Sequence, residues 1–256
     1  MKSVFSLIAS LALAATQATA QTVYFCGDST MARGNGVIDG WGQHIGKYLT
    51  VPAVNHAIGG RSARSFTNEG RFQAVADLVK SGDVVVIEFG HNDGGSPRSN
   101  DNGRSNCPGT GTETCISDKT GEVVYTYVFY VIQAAKLMLS KGATVILSSQ
   151  TPRNQWETGT YNGEPSRYVG YQLIAKNALN DSRVTFVDHF TAVSKMYLRL
   201  GAAGTSELYP VAGDRTHTGP RGADLSAQAW AQAIAQRLNG TTSLATKVKL
   251  PVPIVY

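Results

Sequence analysis

Val84-Val85-Val86-Ile87-Glu88-Phe89, running straight into Gly90-His91-Asn92-Asp93, is the stretch from which the fold can be read. Four consecutive β-branched residues favour extended backbone. A run that is apolar on both alternating faces describes a strand buried on both sides, as in a parallel sheet covered by helices. Four more β-branched runs share this character: Val23–Cys26, Ala53–Ala57, Thr144–Leu147 and Val184–Val187. Helical patterns fall between and after them, over Trp41–Leu49, Arg71–Lys80, Val123–Lys141, Ser166–Leu179, Thr191–Leu200 and Asp224–Leu238. Strands alternating with helices mean crossover units, and hence an α/β chain with a five-stranded parallel sheet between two helical layers. His91–Gly121 is one long irregular stretch rich in Gly, Ser, Asn, Asp and Pro. A loop of that length inside a compact domain is usually functional or disordered.

The ends of the chain read differently. Met1-Lys2 is followed by an almost wholly apolar run from Val4 to Ala15, and Ala18-Thr19-Ala20 offers small residues at the −3 and −1 positions. Residues 1–20 are therefore expected to be a secretory signal, cleaved before Gln21, with 21–256 forming one domain. Beyond it there is no apolar run of 18 residues, the length that a membrane-spanning helix needs. Of the 256 residues 42% are hydrophobic, enough to exclude a disordered chain, and the formal charge is +5. No basic run with interleaved aromatics suggests nucleic acid as a partner. The chain is expected to be extracellular and monomeric.

Export permits disulfides. Cys107 and Cys115 bracket a turn-rich segment, and closing that ring is worth about 2.5 kcal/mol on the loop-entropy argument. Cys26, inside an apolar strand, then reads as a small buried hydrophobe. Asn180-Asp181-Ser182 and Asn239-Gly240-Thr241 match the glycosylation acceptor tripeptide.

In open parallel sheets, ligands bind beyond the carboxyl ends of the strands. The first strand ends in Gly27-Asp28-Ser29-Thr30, the second in Gly59-Gly60-Arg61 and the third in Gly90-His91-Asn92-Asp93. With strand order 2-1-3-4-5, the second and third strands flank the first, each about 4.8 Å away. A hydroxyl at Ser29, an amide N–H at Gly60 and the carboxamide of Asn92 then share one rim. This is what acyl transfer requires: a nucleophile, with donors where negative charge develops on oxygen.

Ser29 needs a base. His217 follows Asp214 by three residues, just before the last helix, and the Asp can fold back to fix the imidazole tautomer. His189 stands at the fifth strand end, about 14 Å from the first strand, too far for a hydrogen bond. His44 falls in a helical pattern and His56 in a strand, so both read as structural. Each block taken alone is compatible with an ordinary turn or helix cap. Their joint placement at three strand ends and before the final helix is what points to a site.

Gly27-Asp28-Ser29-Thr30, Gly60, Gly90-His91-Asn92-Asp93 and Asp214-Arg215-Thr216-His217 together resemble the four blocks of the GDSL/SGNH hydrolase superfamily. The stretches Glu69-Gly-Arg-Phe, Val145-Ile-Leu-Ser-Ser-Gln-Thr-Pro and Trp156-Glu-Thr-Gly-Thr extend the resemblance, which runs nearest to the fungal rhamnogalacturonan acetylesterases. It implies a flavodoxin-like three-layer α/β/α sandwich and a secreted serine esterase. Ser29 would be the nucleophile, His217 the base, and Asp214 its orienting carboxylate. The oxyanion would rest on the N–H groups of Ser29 and Gly60 and on the Asn92 amide. No cofactor or metal is implied. The partner would be an acetylated acidic polysaccharide, the rhamnogalacturonan of pectin. The Cys107–Cys115 spacing fits that family too. Two features depart from it: no second cysteine pair stands near the C-terminus, and Cys26 occupies a position where a small residue is usual.

The residues themselves say less about substrate. Arg61, Arg64, Arg98 and Arg153 follow strand ends where they could meet galacturonate carboxylates. Arg61, His91 and Trp156 are the substrate-binding candidates. The alternatives are an esterase for another acetylated polysaccharide such as acetylxylan, a lipase or thioesterase, a non-catalytic carbohydrate-binding protein, and a cysteine enzyme using Cys26.

Overall fold

The computed structural model describes residues 21–256. The signal segment expected over 1–20 lies outside them. Strand β1 (Val23–Gly27) is followed by 3-10 turns at Trp41–Gln43 and Ile45–Lys47, then β2 (Ala53–Asn55), α1 (Ala63–Asn68) and α2 (Arg71–Ala76). Next come β3 (Val84–Glu88), a hairpin of β4 (Thr114–Ile116) and β5 (Val123–Tyr125), α3 (Tyr127–Ser140) and β6 (Thr144–Ser148). The chain continues through α4 (Arg167–Leu179), β7 (Val184–Val187), α5 (His189–Ser206), α6 (Pro220–Arg237) and a 3-10 turn at Ser243–Lys247.

The main sheet has order β2-β1-β3-β6-β7 and is parallel throughout. This is the expected 2-1-3-4-5 order of its five strands. Val23 faces Val84, Phe25 faces Val86 and Gly27 faces Glu88, so β1 and β3 end level with one another. Both are buried at every position. Side-chain alternation splits their apolar residues between two cores. Cys26, Val85, Ile87 and Leu147 pack with Phe66, Phe72, Val131 and Met138 of α1–α3. Phe25, Val86 and Ile146 pack on the other face with Trp41, Met196, Trp230 and Ile234, mainly from α5 and α6. An apolar face on each side of the sheet is why the sequence shows runs and not alternation.

Four local readings change. The pattern over Val123–Lys141 begins with three residues of strand, paired antiparallel to β4; Thr126 then caps α3 by accepting from the Phe129 N–H at 3.0 Å. Val-Val-Tyr suits a pleated strand better than a helix once Thr114–Ile116 stands opposite. Trp41–Leu49 forms two short 3-10 turns, and Arg71–Lys80 stops being helical after Ala76. Helix α1 was not anticipated; Ser62 and Ser65 cap its start reciprocally. The tail after Asn239 packs back, with the Val255 N–H donating to Gln232 at 2.8 Å.

The long stretch from His91 to Gly121 is ordered by polar burial. Arg64, 1% exposed, donates to both carboxylate oxygens of Asp101 at 2.9 Å, to the Ser105 carbonyl at 2.9 Å, and to Glu122. The Arg64 guanidinium, with Ser117, Gly103 and Ser105 adding donors against the effect of burial, holds the Asp101 carboxyl well below the usual carboxylate range. Cys107 and Cys115 form a disulfide with Cα atoms 5.4 Å apart, tying the segment that runs beside β5 to the middle of β4. Arg64 is therefore a structural ion-pair residue, which corrects the expectation that it faces a substrate carboxylate.

Candidate active site

Ser29 follows β1 in a tight turn that Asp28 builds. Asp28 is 1% exposed. Its Oδ1 accepts from the Thr30 N–H at 2.9 Å and the Thr30 hydroxyl at 2.8 Å, and its Oδ2 accepts from the His91 N–H at 3.3 Å. One carboxylate thus shapes the serine turn and ties it to the end of β3. A side chain at Gly27 would strike Met31 at 2.7 Å and the Glu88 carbonyl at 2.9 Å, so only glycine lets the chain turn there.

His217 comes from the segment before α6. The Asn154 N–H donates to the Arg215 carbonyl at 2.8 Å and the Asp39 N–H to the Thr218 carbonyl at 2.9 Å, pinning that segment to loops after β6 and β1. Gly219 and Pro220 then open α6. Asp214 folds back on His217 as its spacing suggests. Its Oδ1 accepts from the N–H groups of Thr216 at 2.8 Å and His217 at 3.0 Å. Its Oδ2 takes the Nδ1–H of the imidazole at 2.7 Å. Burial alone would raise the Asp214 carboxyl; these donors outweigh it and hold the group below its ordinary value. With Nδ1 protonated, Nε2 presents a lone pair, and it lies 2.8 Å from Ser29 Oγ, whose O–H donates to it. The three residues form one continuous hydrogen-bonded chain.

Beside Ser29 the end of β2 closes in. The Ile58 N–H donates to the Gly27 carbonyl at 3.0 Å, and a Cβ on Gly59 would sit 3.7 Å from Ser29 Cβ. Gly60 has φ +75°, a left-handed conformation that favours glycine. Among the described residues, the N–H groups of Ser29 and Gly60 have no protein acceptor. Asn92 reaches the same turn: its Nδ2 donates to the Arg61 carbonyl at 3.2 Å. Arg104 Nη1 donates to the carboxamide oxygen of Asn92 at 3.3 Å and to the Gly60 carbonyl at 3.4 Å. An amide whose oxygen accepts from Arg104 has its flip fixed, with both donors on Nδ2 and one of them beyond the Arg61 contact left to serve a ligand.

Concavities of about 270 Å³ and 380 Å³ flank these groups. The smaller is lined by Ser29, Arg33, Gly59 and His217. The larger lies beside His91 and runs along the loop after β6, past Gln150, Arg153 and Glu164. A bigger hollow of about 780 Å³ lies at the opposite edge of the sheet, around Asn180 and Val184, far from any nucleophile and base. The chemistry and not the volume marks the site.

The other expected residues fall in varied places. Arg61 is drawn to Glu69, with Nε 3.1 Å from both carboxylate oxygens, while its Nη1 donates to the Gly59 carbonyl at 3.2 Å. His91 lines the larger concavity, with Nε2 3.4 Å from the Thr151 hydroxyl. Trp156 packs on Tyr161 and donates its indole N–H to the Tyr197 carbonyl at 3.2 Å, and is not brought against Ser29. Arg98 is exposed, and Arg153 sits 4.0 Å from Glu157. His189 is buried on Glu88 and His44 sits 2.9 Å from Asp39, both structural. Cys26 is fully buried, and burial pushes its thiol up, so no thiolate nucleophile is available there. Asn180 and Asn239 are exposed. Arg104 escaped the sequence reading, because no motif separates it from the other arginines of the loops. Among the described residues no three His, Cys, Asp or Glu side chains gather closely enough to hold a metal ion.

Comparison with known proteins agrees with this geometry. The chain is 49% identical over 219 residues to a rhamnogalacturonan acetylesterase of Emericella nidulans, covering 85% of this chain and 86% of that protein. It is 26% identical over 222 residues to a probable rhamnogalacturonan acetylesterase, YesY, of Bacillus subtilis, covering 84% of this chain and 93% of that one. The solved structure of Bacillus subtilis YxiM superposes with a TM-score of 0.68 at 24% identity, over 86% of this chain and 57% of that chain, and shares the fold. A family model described as GDSL-like Lipase/Acylhydrolase matches residues 25–225, a span that holds Ser29, Gly60, Asn92, Asp214 and His217 together. The chain belongs to the GDSL-like lipase/acylhydrolase family.

Proposed function

We propose that this protein is a secreted serine esterase that removes O-acetyl groups from the rhamnogalacturonan backbone of pectin. The observation that carries the chemistry is the hydrogen-bonded chain from Asp214 through His217 to Ser29, with contacts of 2.7 and 2.8 Å, beside two N–H groups without acceptors among the described residues. The substrate class rests on the 49% identity to the Emericella nidulans acetylesterase over most of both chains.

The steps follow from the contacts. Ser29 Oγ attacks the acetyl carbonyl carbon as its proton passes to His217 Nε2. The carbonyl π electrons move to oxygen, and that oxyanion is met by the N–H groups of Ser29 and Gly60 and by Asn92 Nδ2. Asp214 holds the imidazole orientation and balances the charge that forms on it. Collapse breaks the bond to the sugar oxygen, which takes the proton from His217 Nε2. A water then attacks the acetyl-serine as His217 Nε2 takes its proton; the bond to Ser29 Oγ breaks, Oγ takes that proton back, and acetic acid leaves and ionises. The flanking concavities leave room for chain on both sides of the ester. Cleavage before Gln21 would deliver the mature chain outside the cell, where its glycan substrate lies.

Acetate release from acetylated rhamnogalacturonan, acetylated homogalacturonan and acetylxylan, alongside a nitrophenyl ester series, tests the reading. Rhamnogalacturonan and the acetyl ester should lead. Preference for long acyl chains, or for acetylxylan, would overturn it. Ser29→Ala should lower kcat by several orders of magnitude; hydrolysis at the original rate would remove Ser29 from the mechanism.

A further inference from the structure

Three arginines near the site are occupied. Arg64 is buried on Asp101 and Glu122, Arg61 is paired with Glu69, and Arg153 stands near Glu157. Arg33, which lines the smaller concavity, and Arg104 have no carboxylate partner among the described residues. Of these two, only Arg104 has its guanidinium held by hydrogen bonds to the site. Its Nη1 alone is engaged, with the Gly60 carbonyl and the Asn92 carboxamide oxygen. Among the described residues its Nε and Nη2 have no protein acceptor, and they are not sealed from solvent. A guanidinium offers five donors in a planar fork, and the edge left open here is the one that grips a carboxylate with two parallel bonds.

The loop beneath holds that fork still. The Arg104 and Ser105 N–H groups both donate to Asn102 Oδ1, at 2.9 and 3.1 Å. Ser105 donates to Asp101 at 3.0 Å, and Arg64 grips both Asp101 and the Ser105 carbonyl. The buried ion pair thus clamps the residues on either side of Arg104. A side chain fixed in advance loses little entropy on binding, which favours recognition.

We propose that Arg104 is the anchor for a substrate carboxylate, a uronate group within about one sugar ring of the acetyl ester under attack. Arg104 touches both Gly60 and Asn92, so an anion on its free edge lies next to the pocket of the reacting carbonyl. The site would select acetyl esters on acidic glycans over those on neutral ones. This rests on the reading of the chain as an esterase for an acidic polysaccharide.

The test uses nitrophenyl acetate as a reporter and trigalacturonate, which carries no acetyl group, as a competitive inhibitor. Arg104→Ala should raise the inhibition constant of trigalacturonate about ten- to hundredfold, the loss of a charge-assisted pair. Arg104→Lys, which keeps the charge and loses the fork, should fall between. The fully methyl-esterified trimer should bind the original protein and the alanine variant equally. Any effect on the oxyanion pocket appears in reporter kcat and is read separately. An unchanged inhibition constant, with or without a fall in reporter kcat, would overturn the proposal, as would a trimer methyl ester that binds as well as the acid. Inhibition by trigalacturonate that depends on Arg104, with no acetate released from acetylated rhamnogalacturonan, would uphold the site and overturn the substrate reading instead.

Discussion

Glu88 and His189, 1% and fully buried, meet between the sheet and its α5–α6 layer with Oε2 and Nδ1 3.0 Å apart. The other ring nitrogen faces the Ser226 carbonyl at 3.0 Å and must carry a proton. Trp41 donates to Glu88 Oε1 at 2.9 Å, and Ser148 donates to Oε2. A second imidazole and carboxylate thus lie one strand register from the serine turn, yet they work as structure. Removing one partner strands the other in the core. His189→Ala should cost about 3–5 kcal/mol, read by urea unfolding, while the folded fraction keeps its esterase kcat. A loss below 1 kcal/mol would show that the pair is not the buried brace described.

Asp214 separates orientation from charge. Asp214→Asn can keep the bonds to Thr216 and His217 but removes the charge that fixes the imidazole tautomer. A fall in kcat of about 10³- to 10⁴-fold is expected with little change in KM. Because its donors hold the Asp214 carboxyl below its ordinary value, that group stays ionised through mild acid. A decline of kcat/KM in mild acid then does not arise from Asp214. A variant with the original pH profile and rate would dismiss Asp214.

Asp93 couples pH to stability. Burial pushes its carboxyl up to about 7, against the pull of the Ala63 N–H and Asn106 amide, and Asp28 adds to the rise. Its Oδ2 has no partner. The folded chain therefore keeps a proton that the unfolded chain gives up near its ordinary value of 3.8. Stability from this group is full below about pH 4, declines as pH rises to about 7, and is then constant. Asp93→Asn should remove a slope of a few kcal/mol across that window. Parallel stability curves for the two proteins between pH 4 and 8, from urea midpoints, would refute this.

Cys107 and Cys115 close a small ring at the root of the loop that carries Arg104. Replacing both with Ser should cost about 2.5 kcal/mol and speed proteolytic nicking between 91 and 121. Arg64 and the packing of β5 should still hold the sheet. Global unfolding at room temperature would mean that the ring supports more than the loop.

The sequence by itself determined the strands of the parallel sheet and singled out Ser29, His217 and Asp214, which hydrogen bonds join in the structure; the strand order entered as an assumption that the structure matches. The strands and those three residues depend on signals that act locally or through fixed strand geometry: β-branched runs, glycines at strand ends, and an Asp three residues before a His. It misread Val123–Tyr125 because a short apolar run suits helix or strand until a partner strand is present. Only the tertiary structure decided which of Arg61, Arg64, Arg104 and Arg153 is left without a carboxylate. Arg153 and Arg61 have carboxylates nearby in sequence, Glu157 and Glu69, but Arg64 is occupied by Asp101 from 37 residues away, and Arg104 is left open. Long-range charge pairing is a property of distance in space, and local residue order carries no record of which arginine Asp101 will reach.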